Sequence, residues 1–265
     1  MPVFSSSNNH QLEYFVFGKG SKWIVAFHGF GQHANDFKIF EKYLGEEYKI
    51  LSINLFHHGE SRFNSSQSIT KEDLKIIFED LFNSTGISDF SLFAYSIGAR
   101  VAFSLLELFP EKVKTLKLFA PDGLANNYWI KALNFTFFGK IIYKLFIDGG
   151  DLIIPILNLL KKTKLLDPKL HQFALINIDN KQKRKFIHKV WMTYRNVFTD
   201  SESIKITIEK NKISFDLYIG IYDKVITLEK AKKFVKKIDS KHLKLHLIEV
   251  GHNLLNEKNL AKIFN

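Results

Sequence analysis

The chain has 265 residues, 46% of them hydrophobic, and a formal net charge of +11. That length buries a full core, in one domain with an insertion or in two domains. With no cysteine, disulfides and thiolate metal sites are excluded; with only Arg62, Arg100, Arg184 and Arg195 among 38 Lys and Arg, the charge reads as a solvated lysine surface and not as a nucleic-acid footprint built on arginine forks.

Residues 1–10 carry no basic patch ahead of an apolar core, so no secretory signal is read there and a cytoplasmic location is expected. Residues 11–17 alternate as a strand, and Gly18-Lys19-Gly20 reads as a turn. Residues 23–27 form a continuous apolar run of strand length, as a strand covered on both faces requires. The run ends in His28-Gly29-Phe30-Gly31-Gln32. Helical spacing follows over 35–44, then a strand over 48–54 that ends in Leu55-Phe56-His57-His58-Gly59-Glu60-Ser61. Thr70 with Asp73 predicts a capped helix to about residue 82.

The apolar residues 90–93 lead into Ala94-Tyr95-Ser96-Ile97-Gly98, and a helical pattern follows to about 109. A serine between a buried strand and a buried helix, with a small residue two before and two after it, has the setting of a nucleophile elbow. Alone, that pentapeptide is a weak signal. Another strand over 116–120 is ended by Pro121-Asp122-Gly123. Alternation of strands and helices predicts an α/β fold, a mostly parallel twisted sheet with helices on both faces. In such a sheet, ligands bind beyond the carboxyl ends of the strands.

The strand pattern stops over 124–210, which reads as a helical insertion: an aromatic-rich segment 127–146, an apolar helix 151–161 bent or started near Pro155, and a helix capped by Asp179. The last of these has a stripe of Phe186, Ile187, Val190, Trp191, Tyr194 and Phe198. The insertion holds 15 Lys and Arg against 7 Asp and Glu, and so most of the net charge. Strands at 213–219 and 243–250, with a basic helix between them, restore the sheet pattern and end in Gly220-Ile221-Tyr222-Asp223 and Gly251-His252. The expected domains are therefore 1–123 with 211–265, and 124–210.

A serine becomes a nucleophile when an oriented base removes its proton. After Ser96, an acid (Asp223) and a histidine (His252) follow later strands in the order Ser, Asp, His, an order that one fold family uses. The chain resembles the α/β-hydrolase superfamily on five motifs: His28-Gly29-Phe30-Gly31, the 54–61 stretch, the elbow, Gly220-x-x-Asp223 and Gly251-His252. Each is weak alone. In this order, each at the end of an expected strand, they are specific.

The resemblance implies Ser96 as nucleophile, His252 as general base and acid, Asp223 as its orienting carboxylate, and the backbone N–H groups of Phe30 and Ile97 as an oxyanion hole. Asp122 is an alternative acid, since some relatives draw theirs from that place. His28 is expected to be structural, and His242 and His246 to be surface or packing residues. Two features depart from the family pattern around the site: Ala94 stands in place of the elbow's first glycine, and Asn54 and His57 stand where relatives have Asp and often Gly.

Arg100, Tyr95, Gln32 and Arg195 are candidate substrate-binding residues. Arg100 lies one helical turn after Ser96, where a lyase of menaquinone biosynthesis with a similar elbow binds a substrate carboxylate. Its alternative is a helix arginine paired to a surface acid. The implied function is an esterase working through an acyl-enzyme on Ser96, without cofactor or metal. The alternatives are a lyase using the same triad, or a non-catalytic binding protein. The insertion corresponds to the family's cap. Its charge suits an anionic acyl substrate or an acidic carrier protein, and its aromatic helices leave a membrane contact as a lesser option.

Overall fold

The computed structural model describes residues 2–124, 147–164, 168, 171–172, 175 and 180–264; the helix read over 127–146 lies outside them. The chain forms two compact units, Met1–Asn126 with Asn196–Asn265, and Asn127–Arg195.

The first unit is built on eight strands: β1 (Val3–Ser5), β2 (Gln11–Phe17), β3 (Lys22–Phe27), β4 (Tyr48–Ile53), β5 (Phe90–Tyr95), β6 (Val113–Phe119), β7 (Ser214–Gly220) and β8 (Leu243–Ile248). Their order in the sheet is β1-β2-β4-β3-β5-β6-β7-β8. The pairs β1/β2 and β2/β4 are antiparallel, and every later pair is parallel. All six residues of β5 are buried, as are Ile24 to Phe27 in β3, because helices cover both faces of the central strands.

Between β3 and β4, the expected helix begins as a 3₁₀ segment (Ala34–Phe40) and becomes α-helical only at α1 (Glu41–Leu44). The helix α2 (Lys71–Thr85) starts on the capping box read from the sequence: Thr70 Oγ1 accepts from Asp73 N–H, and the Asp73 side chain accepts from Thr70 N–H. The helix α3 (Gly98–Leu108) follows the elbow.

The second unit holds α4 (Gly150–Lys162), which runs through Pro155, and α5 (Lys181–Tyr194), capped by Asn180, whose side chain accepts from Lys183 N–H. Val190 and Tyr194 supply the buried part of the α5 stripe. Next, α6 (Ser201–Asn211) belongs to the first unit, which resumes at Asn196 and not at the expected 211. The reason is local: the Asp200 side chain caps α6 on the N–H groups of Glu202 and Ser203, and Ile204 and Ile208 are fully buried against α3 and its neighbour α7 (Leu228–Ile238). The chain ends in α8 (Glu257–Phe264). Among the described residues, no helix is long and apolar enough to cross a membrane.

Candidate active site

The elbow is strained where its chemistry requires it. Ser96 sits at φ 49°, in the left-handed region. Its N–H donates to Phe119 O (3.1 Å), and its carbonyl accepts from Asp122 N–H (2.9 Å) and Ala99 N–H (3.1 Å). Gly98 is dictated by close approach: a Cβ there would lie 2.5 Å from Phe27 O and 2.6 Å from His28 O. On the other flank, the Ala94 methyl group is accommodated, fully buried.

Asp223 stands on the turn after β7, its side chain fully buried. One oxygen, Oδ1, accepts from Val225 N–H (2.8 Å) and Ile226 N–H (2.9 Å). The other, Oδ2, lies 2.7 Å from His252 Nδ1. A carboxylate there accepts a hydrogen bond from Nδ1–H and so holds the ring proton on Nδ1, which leaves Nε2 as the acceptor, 3.3 Å from Ser96 Oγ. Gly220 lets the β7 and β8 loops meet, since a Cβ would lie 2.3 Å from Gly251 O. Of the two candidate acids, Asp223 reaches His252, while Asp122 is turned to Arg100.

The loop carrying Phe30 is held from behind by two histidines. His28 is fully buried and accepts from Leu55 N–H at Nε2 (3.0 Å), which puts its proton on Nδ1 towards Gly29 O (2.7 Å). His58 accepts from Gly31 N–H at Nε2 (3.1 Å). Their rings meet edge to face at 4.8 Å. Burial, followed by the neighbouring His58, pushes His28 down to about 3; burial also lowers His58.

Both histidines are therefore neutral in the fold and take up protons on unfolding. The stability they confer is complete above about pH 6.5 and is lost as the pH falls towards the folded values. Between pH 7.5 and 5.0, His28 alone should lower the unfolding free energy by about 2 kcal/mol, read by urea titration. A His28→Gln variant, which can still accept and donate but cannot titrate, should show a shallower dependence.

The candidate substrate-binding residues mostly have other occupations. Gln32 Oε1 accepts from Gly29 N–H (2.8 Å) and braces the same loop. Tyr95 is buried beneath the triad, its hydroxyl donating to His252 O (2.9 Å) and its ring against the imidazole at 5.3 Å. It supports the histidine loop and is not placed to bind substrate. Arg100 is buried, with Nε on Asp122 Oδ2 at 2.7 Å and its guanidinium over the Phe198 ring at 5.3 Å. This is the ion-paired arginine of the alternative reading. Arg195 is the C-cap residue of α5 in the second unit, with Nη1 3.7 Å from Met192 Sδ. Ile97 is the N-cap residue of α3.

Asn54 is also a scaffold residue. Its Oδ1 accepts from Ala34 N–H (2.7 Å), and its Nδ2 donates to the buried Glu13 Oε2 (2.6 Å). His57 has φ 72°, which explains the frequent glycine of relatives at that position. His246 lies 2.7 Å from Asp216 and stacks on Tyr218, as a packing residue does. Among the described residues, no group of three or more His, Cys, Asp or Glu could hold a metal ion.

Comparison with known proteins agrees with this fold. The chain is similar to an esterase from Thermogutta terrifontis (TM-score 0.67, 15% identity, 100% of this chain and 99% of the other). It is also similar to an esterase from Exiguobacterium antarcticum (TM-score 0.66, 14% identity, 98% and 95%). A curated relative, the dihydrolipoyllysine-residue acetyltransferase component of an acetoin cleaving system from Pseudomonas putida, is 26% identical over 186 residues, 65% of this chain. The chain spans about half the length of that relative, 49%. The pattern of the serine aminopeptidase S33 family matches residues 18–259. A hydrolase fold, its serine elbow and a family match across nearly the whole chain lead to one assignment: the protein belongs to the serine aminopeptidase S33 family of α/β hydrolases.

Proposed function

We propose that this hydrolase cleaves a carboxylic ester through an acyl-enzyme on Ser96. The observation that carries the reading is the continuous line Asp223 Oδ2–His252 Nδ1 (2.7 Å) and His252 Nε2–Ser96 Oγ (3.3 Å). Ser96 Oγ attacks the ester carbonyl carbon as its proton passes to His252 Nε2. Asp223 stabilises the imidazolium that forms, and the backbone N–H groups of Phe30 and Ile97 receive the oxyanion. Collapse expels the alcohol, protonated by His252. Water then attacks the acyl-enzyme by the same route in reverse and releases the acid and free Ser96.

The second unit, residues 127–195, carries 13 Lys and Arg against 4 Asp and Glu. Such a field supports an anionic acyl substrate, drawn in by long-range attraction that weakens with salt.

Steady-state assays with p-nitrophenyl acetate and butyrate test the reaction, with alanine p-nitroanilide alongside because the family is named for aminopeptidases. Hydrolysis of the esters by the wild type, lost in Ser96→Ala, is expected. Turnover of the anilide alone would replace ester by amide as the substrate, and equal turnover by Ser96→Ala would overturn the reading.

A further inference from the structure

We infer that Arg100 and Asp122 are positioning residues that hold the peptide of Ser96 in its strained conformation. The inference rests on the hydrolase reading above and names parts of the machinery which that reading leaves out. The backbone of Ser96 is tied on both sides to one short segment: its N–H to Phe119 O (3.1 Å), and its carbonyl to Asp122 N–H (2.9 Å). That segment is itself strained, with Ala120 at φ 42° beside Ser96 at φ 49°.

Strain of this kind persists only where the surroundings over-determine it. Here the Asp122 carboxylate does so in two ways. Oδ2 takes the Arg100 Nε–H at 2.7 Å, and Oδ1 accepts from Gly123 N–H at 2.8 Å. Arg100 lies in the first turn of α3, which follows Ser96 and is tied to it by Ala99 N–H on Ser96 O (3.1 Å), so the contacts close a ring: Ser96 to the 119–122 segment, to Asp122, to Arg100, and through α3 back to Ser96. Phe198, on the segment leading into α6, covers the guanidinium at 5.3 Å. The Arg100 side chain is buried and that of Asp122 is 27% exposed, and the charge-assisted hydrogen bond between them resists displacement of either partner.

Three roles for these residues predict different kinetics, and one experiment separates them. Wild type, Arg100→Gln, Arg100→Lys, Asp122→Asn and Asp223→Asn are assayed over pH with p-nitrophenyl butyrate and with an ester bearing a free carboxylate. Positioning predicts kcat lower by about 10- to 100-fold for Arg100→Gln and Asp122→Asn on both esters, with KM within about twofold. It also predicts an unshifted pH profile and partial recovery in Arg100→Lys.

A rise in KM confined to the carboxylate ester would make Arg100 a substrate ligand and overturn the proposal. A collapse of Asp122→Asn to the level of Asp223→Asn, with an altered pH profile, would make Asp122 the acid and also overturn it. An Arg100→Met/Asp122→Leu double variant replaces the pair by apolar groups and guards against misfolding of the single variants. Wild-type kcat in that folded variant would overturn the proposal too. Absence of wild-type turnover would instead strike the hydrolase reading itself.

Discussion

Asp223→Asn should lower ester kcat about 10⁴-fold, with little change in stability or KM. The carboxylate does three things at once. Its Oδ1 fixes its own turn on two backbone N–H groups, and its Oδ2 accepts from Nδ1–H of His252. Its charge also balances the imidazolium formed as Ser96 attacks. Asparagine can keep the first of these through its carbonyl oxygen. The amide nitrogen then faces Nδ1 as a donor, which turns the imidazole to the opposite tautomer and puts a proton on Nε2, where an acceptor is needed. The fold survives and the base is lost. Steady-state kinetics with p-nitrophenyl butyrate, together with a thermal melt, checks both halves.

Asn54→Asp should be the most damaging conservative change to stability, at about 3 kcal/mol. The resemblance sets Asn54 where many relatives of the superfamily have Asp, so the substitution looks like a return to the family pattern. In this protein, the Asn54 amide donates at 2.6 Å to the carboxylate of Glu13, whose side chain is only 2% exposed. Aspartate would set two carboxylates against each other in a dry site. One would then hold a proton only at raised pKa, so the deficit should be largest at high pH and shrink as the pH falls. Adding Glu13→Gln to Asn54→Asp restores one charge and one amide donor, and should recover most of the loss. Urea unfolding of the two single variants and the double variant at pH 8 and 5.5 measures this coupling.

These two sites differ in how far the sequence revealed them. The juxtaposition of Ser96, Asp223 and His252 was legible because each follows a strand whose apolar run is local, and because their order along the chain is itself informative. The α2 cap was legible for the same reason, since Thr70 and Asp73 lie within one turn. What the sequence left ambiguous depends on partners brought together by the sheet. Arg100 finds Asp122, 22 residues on; Asn54 finds Glu13, 41 residues back; Tyr95 finds His252 across 157 positions. Spacing along the chain cannot show which of many acids a helix arginine meets.

The start of the second segment of the first unit was misplaced for a different reason. The α6 pattern is helical like the insertion before it, and what ties it to the sheet unit is tertiary: the burial of Ile204 and Ile208, and the Glu209 carboxylate accepting from Ser240 Oγ. Asp200 ahead of Glu202 and Ser203 was the one local signal of a separate helix start. A structural His28 was expected, but its bracing of the loop together with His58 went unseen, because a histidine's tautomer depends on which backbone groups surround it.

In the function proposed above, Ser96 is a nucleophile activated by His252. Intact-mass and peptide-mapping analysis after treatment with a fluorophosphonate tests it most directly. One covalent adduct is predicted, on the peptide containing Ser96, forming in the wild type and in Asp122→Asn but not in folded His252→Ala. An unlabelled wild-type protein, or an adduct on another residue, would contradict it.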